Sequence, residues 1–198
     1  MARDLYLQKC EALRTLYVRE NDISHATGIN LEFRKRINET LSSGTLGINQ
    51  RKRMLKKYWQ TFLFAAPYDF HSYLIYIEKD RDTEKRFYQP RIKVLRSVVQ
   101  DLQDLAEGKL MRLALSMPPG TGKSTLGIFY ITWLMGREPL KPSLATAYAD
   151  KLTRSFFDGT LQIIKDPEYK FSEVFPNSPL VATNSKDETI GLKANKTI

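Results

Sequence analysis

The sequence predicts an α/β fold: a mostly parallel sheet, incomplete within this chain, flanked by helices and preceded by an α-helical N-terminal segment. Three observations carry that expectation. Blocks with apolar residues at helical spacing alternate with short apolar runs, the order that builds parallel sheets. A glycine-rich stretch, "PPGTGKST" at 118–125, stands between one such run and the next helical block. The length of 198 residues, 42% of them hydrophobic, suffices for a sizeable core. The expected division is a basic helical region over 1–64 and the layered domain over 65–198.

The first region reads as helices. Leu5, Leu13, Leu16 and Tyr17 give a loose helical spacing over Asp4 to Glu20, and a second helical stretch runs from Leu31 to Leu41 before the turn chemistry of "SSGTLG". "ISHATGINLEFRKRI" also has a faint helix-turn-helix look, with Gly28 between two possible helices. In "RKRMLKKYWQTFLFAAPYDF", Met54, Leu55, Tyr58, Trp59 and Phe62 share roughly one face, while Arg51, Lys52, Arg53, Lys56 and Lys57 fall largely on the other. Two readings of this basic helix stay open: a solvated face over an apolar stripe, or a sequence-independent contact to a phosphate backbone.

From Arg86 the pattern is more regular. Pro90 can open a helix through Ile92, Leu95, Val98, Val99, Leu102 and Leu105, with Gly108 as its stop. Met111 to Ser116 is a candidate strand, and Ser124 to Met135 a candidate helix. "KPSLATAYA" is a second candidate strand. Asp150 is then placed to cap a helix through Phe156, Leu161 and Ile164 to Pro167. "PLVATN" and "ETIGLKANKTI" suggest further strands, the latter broken by a turn near Asn195.

The glycine stretch is where chemistry is expected. The phosphate-binding pattern G-x-x-x-x-G-K-[ST] fits at every fixed position but the first, where Met117 replaces glycine. Such a loop works because successive backbone N–H groups surround phosphate oxygens at a helix N-terminus. Gly120 and Gly122 supply backbone freedom, Lys123 a charge for the β- and γ-phosphates, and Ser124 a hydroxyl for Mg²⁺. The displaced glycine lies far from those contacts, and Pro118 and Pro119 can stiffen the approach instead. A carboxylate at the end of a neighbouring strand is also needed for hydrolysis. The one Asp-Glu pair, Asp187-Glu188, follows "TNSK" and reads as an exposed turn.

Composition narrows the rest. Cys10 is the single cysteine and His25 and His71 the only histidines, which excludes a disulfide framework and a Cys/His zinc site. "MARDLYLQKCEALR" carries charges where a signal peptide needs an apolar run, and no long uncharged apolar stretch follows, so a soluble, cytoplasmic protein without a membrane segment is expected. The net charge of +9 is unevenly spread: residues 1–60 hold twelve Lys/Arg against six Asp/Glu. A polyanionic partner suits that region.

Three segments together, "APYDFHSYLIYIEKDRDTEKRFYQPRIKVL", "LSMPPGTGKSTLGIFYITWLMGREPLKPSLATAYADKLTRSFFDG" and "DPEYKFSEVFPNSPLVATNSKDETIGL", strongly resemble the ATPase portion of tailed-phage terminase large subunits, especially those of clostridial phages and prophages. The resemblance covers roughly Ala65 to Ile198 and implies a P-loop NTPase fold. It implies a viral genome-packaging motor in the host cytoplasm, in which ATP hydrolysis drives double-stranded DNA into a procapsid. Its partners would be DNA, a small terminase subunit, the portal protein and further copies of itself in a ring. The Walker B carboxylates and the nuclease domain would then lie beyond Ile198, so the catalytic residues are unassigned and the chain reads as a fragment or a truncated product.

Carried over by residue, the resemblance gives Gly120, Thr121, Gly122, Lys123, Ser124 and Thr125 as the ATP and Mg²⁺ site. "FYQPR" resembles an adenine-reading segment, which makes Gln89 a candidate base contact; a plain polar residue at a helix start is the alternative. Many terminases carry an arginine inside this loop where Gly120 stands here, so the resemblance implies that a charge-stabilising arginine must come from elsewhere, from Arg137, Arg154 or a neighbouring subunit. "AYADKLTRSF" is either a DNA-coupling segment or simply a loop and helix start. Other functions remaining open are a superfamily 2 helicase, a nucleotide kinase, and a nucleotide-binding remnant without turnover.

Overall fold

The computed structural model describes residues 2–44 and 46–193. These form eight α-helices, two short 3-10 turns and one two-stranded antiparallel sheet. The chain divides into two compact units, Met1–Ala65 and Ala66–Ile198.

The first unit packs α1 (Ala2–Arg19), α2 (Ile23–Ser42) and α3 (Ile48–Ala65) in sequence order. Asn21, with φ +58, makes the bend after α1, and the Asp22 side chain caps α2 by accepting from the His25 N–H. Helix α2 runs unbroken through Gly28, so the helix-turn-helix look has no counterpart. Cys10, Phe33 and Ile37 form the core, with Met54 and Tyr58 packed on it. Buried Asn30 ties the three helices: its Oδ1 accepts from Arg14 at 2.9 Å and its Nδ2 donates to the Thr61 carbonyl at 2.9 Å. Of the basic run, Arg51, Lys52, Arg53 and Lys56 are exposed, while Lys57 turns back to Glu11 at 2.8 Å.

The second unit is built around α4 (Phe70–Ile77), α5 (Ile92–Ala106), α6 (Lys123–Arg137), α7 (Asp150–Lys165) and the one-turn α8 (Phe171–Val174). Helix α4, "FHSYLIYI", buries six of its eight residues, and a helix apolar on nearly all sides belongs in a core. It shows no sequence period, which is why spacing alone passes over it. Its Tyr73 hydroxyl meets Thr132 of α6 at 2.8 Å, and the Trp133 indole donates to the Ala66 carbonyl at 2.9 Å. Phe70, Leu95, Phe129 and Trp133 are fully enclosed. Pro90 sits in a 3-10 turn just before α5, and Gly108, at φ +74, follows its end. Ala149 occupies the cap of α7, leaving Asp150 as the acid of the first turn; Phe157, Thr160 and Ile163 are its buried residues, with Phe156 half-buried.

The predicted fold class is wrong. Among the described residues there is no parallel sheet, so this is not a P-loop α/β fold: the chain is mostly helical, and β1 (Leu180–Asn184) and β2 (Thr189–Leu192) pair only with each other, antiparallel. The candidate strands Met111 to Ser116 and "KPSLATAYA" join no ladder. A parallel strand needs neighbours on its hydrogen-bonding edges and cover on both faces. Here Met111 is 95% exposed, Leu144 89% and Tyr148 94%, so neither run finds that cover. The hairpin forms because its two strands are joined by a short turn, where little loop entropy opposes pairing. The predicted turn near Asn195 lies outside the described residues. Among the described residues no helix is long and apolar enough to cross a membrane.

Candidate phosphate site

Helix α6 supplies the base of the site. Leu126, Phe129 and Trp133 recur along its buried side and hold the helix in the core of the second unit. Its N-terminus is therefore fixed from behind. Gly122 stands at the cap with φ +90, and its carbonyl accepts the Leu126 N–H at 2.9 Å, closing the first turn. Gly120 has φ +81. Both angles lie in the left-handed region that side-chain-bearing residues avoid. Thr121 folds the loop on itself, its hydroxyl donating to the Pro118 carbonyl at 2.9 Å. The N–H groups of Lys123, Ser124 and Thr125 belong to the first helical turn and have no intrahelical acceptor, leaving a positive helix end facing outward.

The loop is braced from a second direction. Buried Glu78, just after α4, takes the Phe87 N–H on both carboxylate oxygens at 3.0 Å and the Tyr88 N–H at 3.1 Å. Burial pushes the Glu78 carboxyl above its usual value, opposed by those two N–H groups and by the charges of Arg81 and Arg86. The clamp sets the Phe87 ring, which stacks on Phe129 with centroids 5.6 Å apart and covers Gly122. A Cβ at residue 122 would lie 2.4 Å from Phe87 Cε2. Glycine is thus required there twice over, by its backbone angle and by its neighbour.

Between these supports lies a cleft of about 520 Å³, lined by the loop from Met117 to Thr125 together with Phe87 and Arg91. Gly120, Thr121, Gly122, Lys123, Ser124 and Thr125 all line it. Lys123 is exposed and makes no ion pair among the described residues. Among the described residues no acidic side chain lines the cleft. A concave surface with two cations, free helix-end N–H groups and hydroxyls suits a phosphate. By itself, without a nucleotide's own oxygens, it suits a metal poorly. Mg²⁺ takes hard oxygen ligands, of which Ser124 offers one hydroxyl, and no carboxylate accompanies it. Among the described residues no group of three His, Cys, Asp or Glu could hold a metal ion.

The other sequence-derived candidates lie elsewhere. Gln89 is not among the residues lining the cleft, and its amide oxygen is taken by Arg86 Nη1 at 2.7 Å. Arg137 stands at the far end of α6, roughly 20 Å along the axis from Lys123 at 1.5 Å per residue. Its guanidinium lies over the Trp133 ring at 5.1 Å. Arg154 donates to the Ser185 carbonyl at 2.7 Å and faces Asp158 and Glu188. Asp187 and Glu188 sit in the turn between β1 and β2. Sequence reasoning passed over Phe87 and Arg91, although both stand in the "FYQPR" segment it singled out. Arg91 follows Phe87 by four residues, a signal of mutual contact, but nothing local says that the pair faces the loop.

Compared with known proteins, the chain matches no family model, no curated protein and no solved structure.

Proposed function

We propose that residues 117–125 bind the phosphates of ATP, with Lys123 as the principal cation and the N–H groups at the start of α6 as the cradle. The observation that carries this reading is the cleft itself: positive helix end, Lys123 and loop glycines on one side, and no carboxylate to oppose an anion. Ser124 would offer its hydroxyl to Mg²⁺ arriving with the nucleotide, and no step of the reading depends on that metal.

The larger role comes from the resemblance to terminase large subunits: an ATPase of a phage DNA-packaging motor, working with double-stranded DNA, a small subunit, a portal protein and other copies of the chain. Binding is the part the residues support directly. Turnover requires a carboxylate and a water-orienting group near the γ-phosphate, and among the described residues no carboxylate lines the cleft. Binding without turnover is therefore the reading favoured for this chain by itself.

Calorimetric titration tests it. Wild type is expected to bind ATP, and Lys123→Ala to weaken that binding by at least tenfold, the loss of one charge-assisted contact. Equal affinity in the two proteins would refute the site. Phosphate release measured on the same samples separates a working ATPase from a binding protein.

A further inference from the structure

The cleft holds a second cation besides Lys123. Arg91 ends the 3-10 turn Gln89–Arg91 immediately before α5, so its backbone is fixed by a 15-residue helix anchored through Leu95, Val99 and Leu102. One guanidinium nitrogen, Nη1, donates to the Phe87 carbonyl at 2.9 Å, and the group lies over the Phe87 ring at 5.2 Å. The same ring covers Gly122. Arg91 is thereby held beside the loop by the residue that braces it. Its remaining N–H donors have no partner among the described residues, and no acid lines the cleft to neutralise it.

We propose that Arg91 is a second phosphate-binding residue of this cleft, approaching the ligand from the α5 side while the loop and Lys123 hold it from the α6 side. The proposal rests on the phosphate reading of the loop. A guanidinium suits this place because it can give two parallel N–H bonds to phosphate oxygens while a third stays on the Phe87 carbonyl. Two cations that converge on one cleft without a counter-ion repel each other. Binding a polyanion relieves that repulsion, so Arg91 contributes to affinity for the phosphate chain whatever base it carries.

The test uses the full chain, with ATP and inorganic tripolyphosphate as probes, in wild type, Arg91→Gln, Arg91→Lys and Lys123→Ala. Arg91→Gln is expected to weaken both probes by a similar factor, roughly tenfold to a hundredfold for one charged hydrogen-bonding group. It should also flatten the dependence of affinity on salt, because one fewer charge takes part. Arg91→Lys keeps the charge without the paired donors and should fall between wild type and Arg91→Gln. That intermediate loss carries the test if Arg91→Gln does not fold.

A purely structural role would leave the salt dependence unchanged, and that result would overturn the proposal. So would wild-type affinity in both Arg91 variants alongside weak binding in Lys123→Ala, an outcome that leaves the loop assignment standing. Loss of ATP binding with tripolyphosphate unaffected would place Arg91 against the base or ribose and likewise refute it. If wild type binds neither probe, the phosphate reading itself fails and this proposal with it.

Discussion

The two segments that meet at the glycine loop differ in what holds them. After the loop, α6 is locked into the unit by Leu126, Phe129 and Trp133, and by hydrogen bonds from Trp133 to Ala66 and between Thr132 and Tyr73. Before it, residues 111–117 join no sheet, and Met111 is almost wholly exposed. In this chain the loop is positioned from its helix side and by Phe87, not by a strand leading into it. The candidate phosphate loop thus rests on one anchored helix and one aromatic brace.

Substitutions that weigh the two sides against each other should rank clearly. Trp133→Ala removes a fully buried indole and its hydrogen bond, and is expected to cost about 3–5 kcal/mol in urea unfolding. A cost below 1 kcal/mol would mean that α6 is not the anchor. Gly122→Ala should follow at about 2–3 kcal/mol, combining a left-handed backbone angle with the collision against Phe87. Adding Phe87→Ala to Gly122→Ala sharpens the point. The double variant relieves the collision but not the backbone strain, so the two losses should add up to more than the double variant shows.

Glu78 offers a pH-dependent check on the brace. Its carboxyl is raised by burial, so the folded state holds that proton more tightly than the unfolded chain does. Its stabilising contribution is complete below the ordinary value of 4.5 and is lost as pH rises through the folded-state value. Glu78→Gln cannot titrate. The stability of wild type minus that of Glu78→Gln should therefore be largest near about pH 4 and shrink towards neutrality. A difference that widens with pH would show that the Phe87 and Tyr88 N–H groups dominate over burial. The smallest effect belongs to the segment before the loop: Met111→Ser should change stability by less than about 0.5 kcal/mol. A larger loss there would show that the approach segment is packed after all.

The helices and the loop were legible in the sequence for different reasons. Leu95, Val99 and Leu102 recur at helical spacing and are the large apolar side chains that α5 buries, and Leu126, Phe129 and Trp133 are those of α6. "GTGKST" announces itself by residue type, since glycines at 120 and 122 are what positive φ demands. Helix α4 was not legible because burial on every side erases the period that spacing arguments use. The apolar runs at 111–116 and 141–149 misled because high apolar content marks what a strand can be, not whether a partner exists for it. In the site, Lys123 was legible from the motif, while Arg91 was not: its place beside the loop depends on where α5 is anchored.

What the sequence by itself determined is the helices whose buried face repeats at helical spacing and the whereabouts of the two short strands; α4, buried nearly all round, and the antiparallel pairing of β1 with β2 were not among them. A helix closes each hydrogen bond within four residues, and the β1–β2 hairpin finds its partner across a short turn. What only the tertiary structure decided is whatever depends on distant partners: the absence of a parallel sheet among the described residues, the Glu78 clamp on Phe87, and the convergence of Arg91 with Lys123 on one cleft. Ladder pairing and electrostatic convergence are properties of groups far apart in sequence. Neither leaves a local pattern to read.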